Sequence, residues 1–236
     1  MIKEIIIGLC DDDTAVHEIV MEMLAEYEKS YGHHTVLVSF FSAGELLAYT
    51  GNLDMLFLDI DMPGMDGIEA GRQFRRYNQS CRIAMLTGRQ ERYKETFKID
   101  VIAFVTKPIE ERELFEAIDE VQKRMLGEER MELVIDGALH KIRQKDLLFV
   151  MADGSQTTVF LDHASCRSSF ALDWWERELD TRMFFRTHRS YIVNLGKVAS
   201  IKKDILVLDS GEKVLLSKRK RTAFKQIYME YDIRYR

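Results

Sequence analysis

Apolar residues follow two regimes along the 236-residue chain. In the first half, short continuous apolar runs alternate with stretches in which apolar residues recur every three or four positions. The run EIIIGLC at 4–10 reads as a strand buried on both faces. After it, Val16, Ile19, Val20, Met23, Leu24 and Tyr27 trace one face of a helix. TVLVSFF at 35–41 predicts a second strand, and Ser42-Ala43-Gly44-Glu45 has the S-x-x-E form of a helix start. MLFLD at 55–59 predicts a third strand, followed by a helix over 67–77. RIAMLT at 82–87 predicts a fourth, with a polar helical stretch near 90–98. VIAFV at 101–105 predicts a fifth, and Leu114, Ile118, Val121 and Met125 mark a final helix. Five strand–helix units imply an α/β fold, a doubly wound five-stranded parallel sheet covered on both faces.

The periodicity then changes. MLGEERME at 125–132 is a charged connector containing Gly127, which predicts a first domain over 1–124, a linker over 125–131 and a second domain over 132–236. Beyond it come short strand-like pieces at 132–136, 139–143, 146–151, 157–161, 184–186, 191–194, 198–202, 205–208 and 213–216. Asp209-Ser210-Gly211-Glu212 supplies a hairpin turn between the last two. Helical spacing is confined to 169–180 (Leu172, Trp175, Leu179) and 219–231 (Phe224, Ile227, Tyr228, Tyr231). The second domain is therefore expected to be mostly β. No two helices joined by a tight glycine turn occur, which argues against a helix-turn-helix reader.

Composition agrees with two globular domains: 46% hydrophobic and 31% charged residues. No run approaches the ~18–20 apolar residues that span a bilayer, so no membrane insertion is expected. The apolar start before Asp11 is too short for a signal-peptide core. Three widely spaced cysteines (Cys10, Cys81, Cys166) without metal-ligand spacing predict packed, reduced thiols and a cytoplasmic location. The net charge of −5 conceals a split. Residues 1–125 carry 14 Lys/Arg against 23 Asp/Glu, net −9; residues 181–236 carry 14 against 5, net +9. Such asymmetry points to a polyanion-binding segment at one end, or to a solvated basic face.

In a doubly wound sheet, ligands sit outside the carboxyl ends of the strands. Here the first strand ends in Asp11-Asp12-Asp13, the third in Asp59, the fourth in Thr87-Gly88 and the fifth runs to Lys107-Pro108. With strand order 2-1-3-4-5 these gather three carboxylates, a hydroxyl and an ammonium. Adjacent carboxylates repel unless a cation offsets them, and an oxygen-only set suits Mg²⁺. A carboxylate in such a site can attack a phosphoryl group, with hydroxyl and ammonium steadying the transferred oxygens.

The motifs CDDD (10–13), LFLDIDMPGMDG (56–67), MLTG (85–88) and AFVTKP (103–108) closely resemble the receiver domain of two-component response regulators, over residues 1–122 or so. The resemblance implies a flavodoxin-like fold with Asp59 as phosphoacceptor. It implies Mg²⁺ held by Asp11, Asp12, Asp59 and the backbone carbonyl of Asp61. Thr87 is the implied hydroxyl that moves onto the phosphoryl group, Lys107 its counter-ion, and Phe104 the aromatic switch. The family's Lys-Pro bond is typically cis, aiming the lysine inward. Asp66 is expected to cap the helix that follows. Gly88 replaces the commoner alanine and keeps that position small. A rival pattern is the hhhhDxD start of haloacid-dehalogenase-like phosphatases, in which Asp59 would be nucleophile and Asp61 acid/base. That motif needs a downstream acidic pair, whereas here the pair lies upstream.

FFRTHRSYIVN (184–194) and LLSKRKR (215–221) look like the LytTR family of DNA-binding domains, over roughly 131–232. The family reads the major groove with loops of a β-rich stack. The resemblance makes Arg189 and Arg219 candidates for base edges, since guanidinium pairs with guanine. His188, Ser190, Lys218 and Lys220 are candidates for phosphate contacts, and Gln156 lies in the other reading loop. Met151 stands where an acidic residue is common, which puts that loop's role in question. His188 is equally a candidate packing residue, and Trp174 and Trp175 are expected to pack within their helix. The combined expectation is a response regulator, not otherwise an enzyme beyond self-phosphorylation and hydrolysis. A sensor histidine kinase would phosphorylate it, promoting homodimers on paired promoter sites in duplex DNA. A protein- or RNA-binding output is the other class of outcome.

Overall fold

A strand buried on both faces can satisfy its backbone only by pairing, and the apolar runs of the first half pair with one another. The computed structural model describes residues 4–32, 34–88, 92, 95–96, 99–135, 137–162 and 164–236. By internal contacts the chain divides between residues 122 and 123, and each unit is described by itself.

In the first unit, β1 (Ile5–Cys10), β2 (Thr35–Phe40), β3 (Met55–Asp59), β4 (Arg82–Thr87) and β5 (Val101–Thr106) form one sheet in the order β2-β1-β3-β4-β5. Every pairing is parallel. The central strand β3 is buried along its whole length, its apolar run Met55–Leu58 ending in the buried Asp59. Helices α1 (Thr14–Tyr31) and α4 (Glu111–Met125) share one face, where the Tyr27 and Phe115 rings meet edge-on at 4.9 Å. On the other face, α2 (Ala43–Ala48) and α3 (Gly67–Arg75) cover a cluster that includes Leu46, Leu58, Ile68, Phe74 and Met85. Helix starts follow their capping residues. Asp13 accepts from Ala15 N at 2.9 Å, Ser42 from Glu45 N at 3.2 Å and Asp66 from Glu69 N at 2.9 Å. The helical stretch expected near 90–98 lies mostly outside the described residues.

In the second unit, β6 (Arg130–Ile135) and β7 (Ala138–Arg143) form a hairpin. A five-stranded antiparallel sheet follows, built from β8 (Leu147–Asp153), β9 (Gln156–Leu161), β10 (Ser165–Ser168), β11 (Phe184–His188) and β12 (Tyr191–Asn194) in the order β10-β9-β8-β12-β11. Strands β13 (Val198–Lys202), β14 (Ile205–Leu208) and β15 (Lys213–Leu215) make a third sheet. Helices α5 (Leu172–Glu178) and α6 (Arg221–Tyr235) bury Trp175 and Phe224 in the core. One strand was not read from the sequence. Strand β10, sequence SCRS, has a single apolar residue and is held by pairing Cys166 with Val159. The connector glycine is closely packed. Gly127 has φ 72°, and a Cβ there would lie 2.7 Å from the Lys145 and Met183 side chains.

Candidate functional site

The residues expected at the strand ends of the first unit converge. Carboxylate oxygens of Asp11, Asp12 and Asp59 all lie within 4.8 Å of one another. Asp11 and Asp59 are buried and Asp12 is exposed. Lys107, just beyond β5, places Nζ 2.7 Å from Asp11 Oδ2 and 3.1 Å from Asp59 Oδ2. The Lys107–Pro108 peptide is cis. The Lys107 N–H donates to the Thr87 carbonyl at 3.0 Å, which sets the lysine beside that buried threonine at the end of β4. Phe104, half-buried on β5, pairs in register with Met85.

Burial pushes the Asp59 carboxyl above the ordinary aspartate range; Lys107 pulls it back and Asp11 adds to the rise. Burial disfavours the Lys107 ammonium, but its contacts with Asp11 and Asp59 outweigh this and hold its pKa above the usual lysine value. One ammonium against three carboxylates leaves the site net negative. Its donors are hard oxygens, so the residues present fit a bound Mg²⁺. Cys10, the neighbouring thiol, is pushed up to about 12 by burial and then by Asp11 and Asp59, so it remains a packed thiol.

The acidic residues around this centre have separate duties. Asp13 N donates to Asp11 Oδ1 at 3.0 Å while the Asp13 side chain caps α1. Asp66 caps α3 and also meets Arg92 Nη2 at 2.8 Å. The Asp61 side chain, 3.3 Å from Arg92 Nη1, is engaged at the rim. Three contributors were not read from the sequence. His17 Nε2 donates to the Asp11 carbonyl at 2.9 Å; its place beside Val16 and Val20 on the buried face of α1 was the available signal. Arg92 reaches across to the β3–α3 loop, a contact with no local signature. At Gly67 an added Cβ would sit 1.8 Å from the Asp59 carbonyl oxygen, so only glycine lets α3 begin there.

In the second unit the two basic motifs come together. Arg186, His188 and Arg189 from the β11–β12 hairpin, Ser217 to Lys220, and Glu176 line one open groove. Ser217 N donates to the Thr187 carbonyl at 2.9 Å, joining the two segments. Arg189, Lys218 and Arg219 are exposed; His188, Ser190 and Lys220 are half-buried. His188 Nδ1 accepts from Ser190 N at 3.2 Å, shaping the turn. Lys220 Nζ donates to the Arg186 carbonyl at 2.7 Å and lies over the Phe185 ring. Ala152 N donates to the Ser190 carbonyl at 2.8 Å, which brings the β8–β9 hairpin, with exposed Gln156, to the same end of the sheet. The tryptophans pack: Trp175 is buried with Nε1 donating to Thr157 at 2.9 Å, and Trp174 stacks on Phe170.

Comparison with known families agrees with both halves. Residues 7–119 match the response regulator receiver domain, and residues 137–229 match the LytTr DNA-binding domain. The chain belongs to the LytTR-type response regulators. Among curated relatives, the sensory transduction protein LytT of Enterococcus faecalis is 23% identical over 190 residues, 73% of this chain and 78% of that one. The transcriptional regulatory protein LytR of Staphylococcus aureus is 19% identical over 193 residues, with the same coverages. A solved LytTr DNA-binding domain from Bacillus cereus aligns at 24% identity and TM-score 0.40, over 43% of this chain and 97% of that one. This response regulator is thus a phosphorylation-controlled DNA-binding protein, and the phosphatase reading of the DxD pattern is not favoured. Its receiver domain implies a histidine kinase partner. Among the described residues no helix is long and apolar enough to cross a membrane.

Proposed function

We propose that Asp59 is the phosphoacceptor through which a sensor histidine kinase controls the LytTR domain, with the receiver ending near residue 124 and the output domain beginning near 132. The observation that carries this reading is the convergence of Asp11, Asp12 and Lys107 on the buried Asp59 carboxylate. An Asp59 oxygen attacks the phosphorus of a phosphohistidine; the P–O bond forms, the P–N bond breaks, and the departing imidazole nitrogen takes a proton. Asp11, Asp12, Asp59 and the Asp61 carbonyl are the groups that would hold Mg²⁺, which when bound offsets charge on the transferred oxygens. Lys107, already between Asp11 and Asp59, meets the new phosphoryl oxygens, and Thr87 supplies a hydroxyl from the end of β4.

The acyl phosphate carries about −1.5 to −2 charge where the carboxylate carried −1, and adds three strong acceptor oxygens. Drawing Thr87 towards it, with Phe104 following on β5, reshapes the face formed by β4 and β5 and favours a homodimer. Two LytTR domains on adjacent promoter sites then gain by effective concentration. Arg189 and Arg219 are assigned to base edges, with Lys218, Ser190 and Gln156 at the flanks. His188 and Lys220, both held by internal bonds, support the reading turn as well as any phosphate they meet. The test is labelling with a small phosphodonor and Mg²⁺. Wild-type protein is expected to take up one acid-labile phosphate and Asp59→Asn none; undiminished labelling of the variant would overturn the assignment.

A further inference from the structure

The groove that carries Arg189 and Arg219 also contains a carboxylate, Glu176, and an arginine turned back onto the protein. Arg186 Nη1 lies 2.5 Å from Asp173 Oδ1 and 2.6 Å from Glu176 Oε2, both on α5. Its Nη2 donates to the Arg189 carbonyl at 3.2 Å. Only 21% of its side chain is exposed. Its own carbonyl accepts from Lys220 Nζ. The side chain therefore ties α5 to the β11–β12 turn, while the backbone at the same position meets the 217–220 segment.

An arginine held by two carboxylates would have to break charge-assisted bonds before it met a phosphate. What it offers instead is geometry. A bidentate base contact requires the reading guanidinium to be held within a fraction of an ångström, and that placement depends on the backbone from which it projects. We propose that Arg186 is a positioning residue for base recognition. Braced by Asp173 and Glu176, its side chain holds the Arg189 turn in one reading geometry without itself contacting DNA. The inference rests on the assignment of Arg189 to base edges.

The test uses the full chain and two duplexes, one selected by the wild-type protein from a random pool and one scrambled from it, titrated across a salt series. Arg186→Gln is expected to lower the preference for the selected duplex about tenfold. Affinity for the scrambled duplex should stay within about twofold and the salt slope should not change. Equal weakening on both duplexes with a slope reduced by about one would make Arg186 a phosphate contact and overturn the proposal. Glu176→Gln supplies a test of sign, and carries the proposal alone if Arg186→Gln does not fold. Removing a negative charge from the groove tightens both duplexes if charge alone matters, whereas loss of the brace lowers the preference. An unchanged or increased preference overturns it. Arg189→Ala separates the two layers: if it leaves the preference intact, the base-reading assignment fails. If it abolishes the preference while Arg186→Gln and Glu176→Gln do not lower it, only the brace fails.

Discussion

At Asp59, burial and the nearby Asp11 oppose ionisation while Lys107 favours it, and burial prevails. The side chain is a nucleophile only when ionised. In the metal-free protein the Asp59 carboxyl should titrate, by carboxyl NMR, with a midpoint above that of an exposed aspartate; a midpoint at the ordinary value would contradict the account. Stability runs the other way. A raised carboxyl pKa contributes stability that is present below the unfolded value and lost as the pH rises through the folded one. Lys107, also raised, contributes stability that is present below the ordinary lysine value and lost as the pH climbs through its folded value. Lys107→Met leaves Asp11 and Asp59 facing each other without an ammonium. With 24% of the lysine side chain exposed, the expected loss is at most about 3 kcal/mol in a denaturant titration. Added Mg²⁺ should restore part of it, and a variant indifferent to Mg²⁺ would argue that these carboxylates do not hold the ion.

Among the elements, α3 depends most sharply on a single position. Gly67→Ala would drive a methyl group into the Asp59 carbonyl, and the resulting shift of helix or strand should cost at least about 2–3 kcal/mol. Thermal melting checks this, and an unchanged Tm would contradict the close approach. The five strands and the four described helices of the first unit were legible because β3 is apolar up to its terminal Asp59 and the helices keep a 3.6-residue period. Ser42 and Asp66 were legible as caps from sequence position alone. The acidic centre was legible for a related reason: each member ends a strand, and strand order brings those ends together. Strand β10 was not, because SCRS carries no alternation and exists through its partner β9. His17 and Arg92 act through contacts to carbonyl and carboxylate groups brought near by folding. Arg186 was visible as part of a basic motif, but its partners Asp173 and Glu176 lie on a separate helix.

In the whole molecule, an acidic unit that receives a phosphoryl group is joined to a basic unit that binds a polyanion. The opposed charges explain why a net charge of −5 gives no warning of DNA binding. Matches to the receiver and LytTr families over 7–119 and 137–229 account for these two tasks. The proposed site assignments add that a single carboxylate, Asp59, would connect them. That connection is tested most directly by the affinity of the full chain for its selected duplex, with and without a small phosphodonor and Mg²⁺, in wild type and Asp59→Asn. The account predicts that the donor tightens binding by wild type about tenfold or more, as expected for two domains engaging together, and leaves the variant unchanged. Equal tightening of both proteins, or none in a wild type that carries the phosphate, would contradict it.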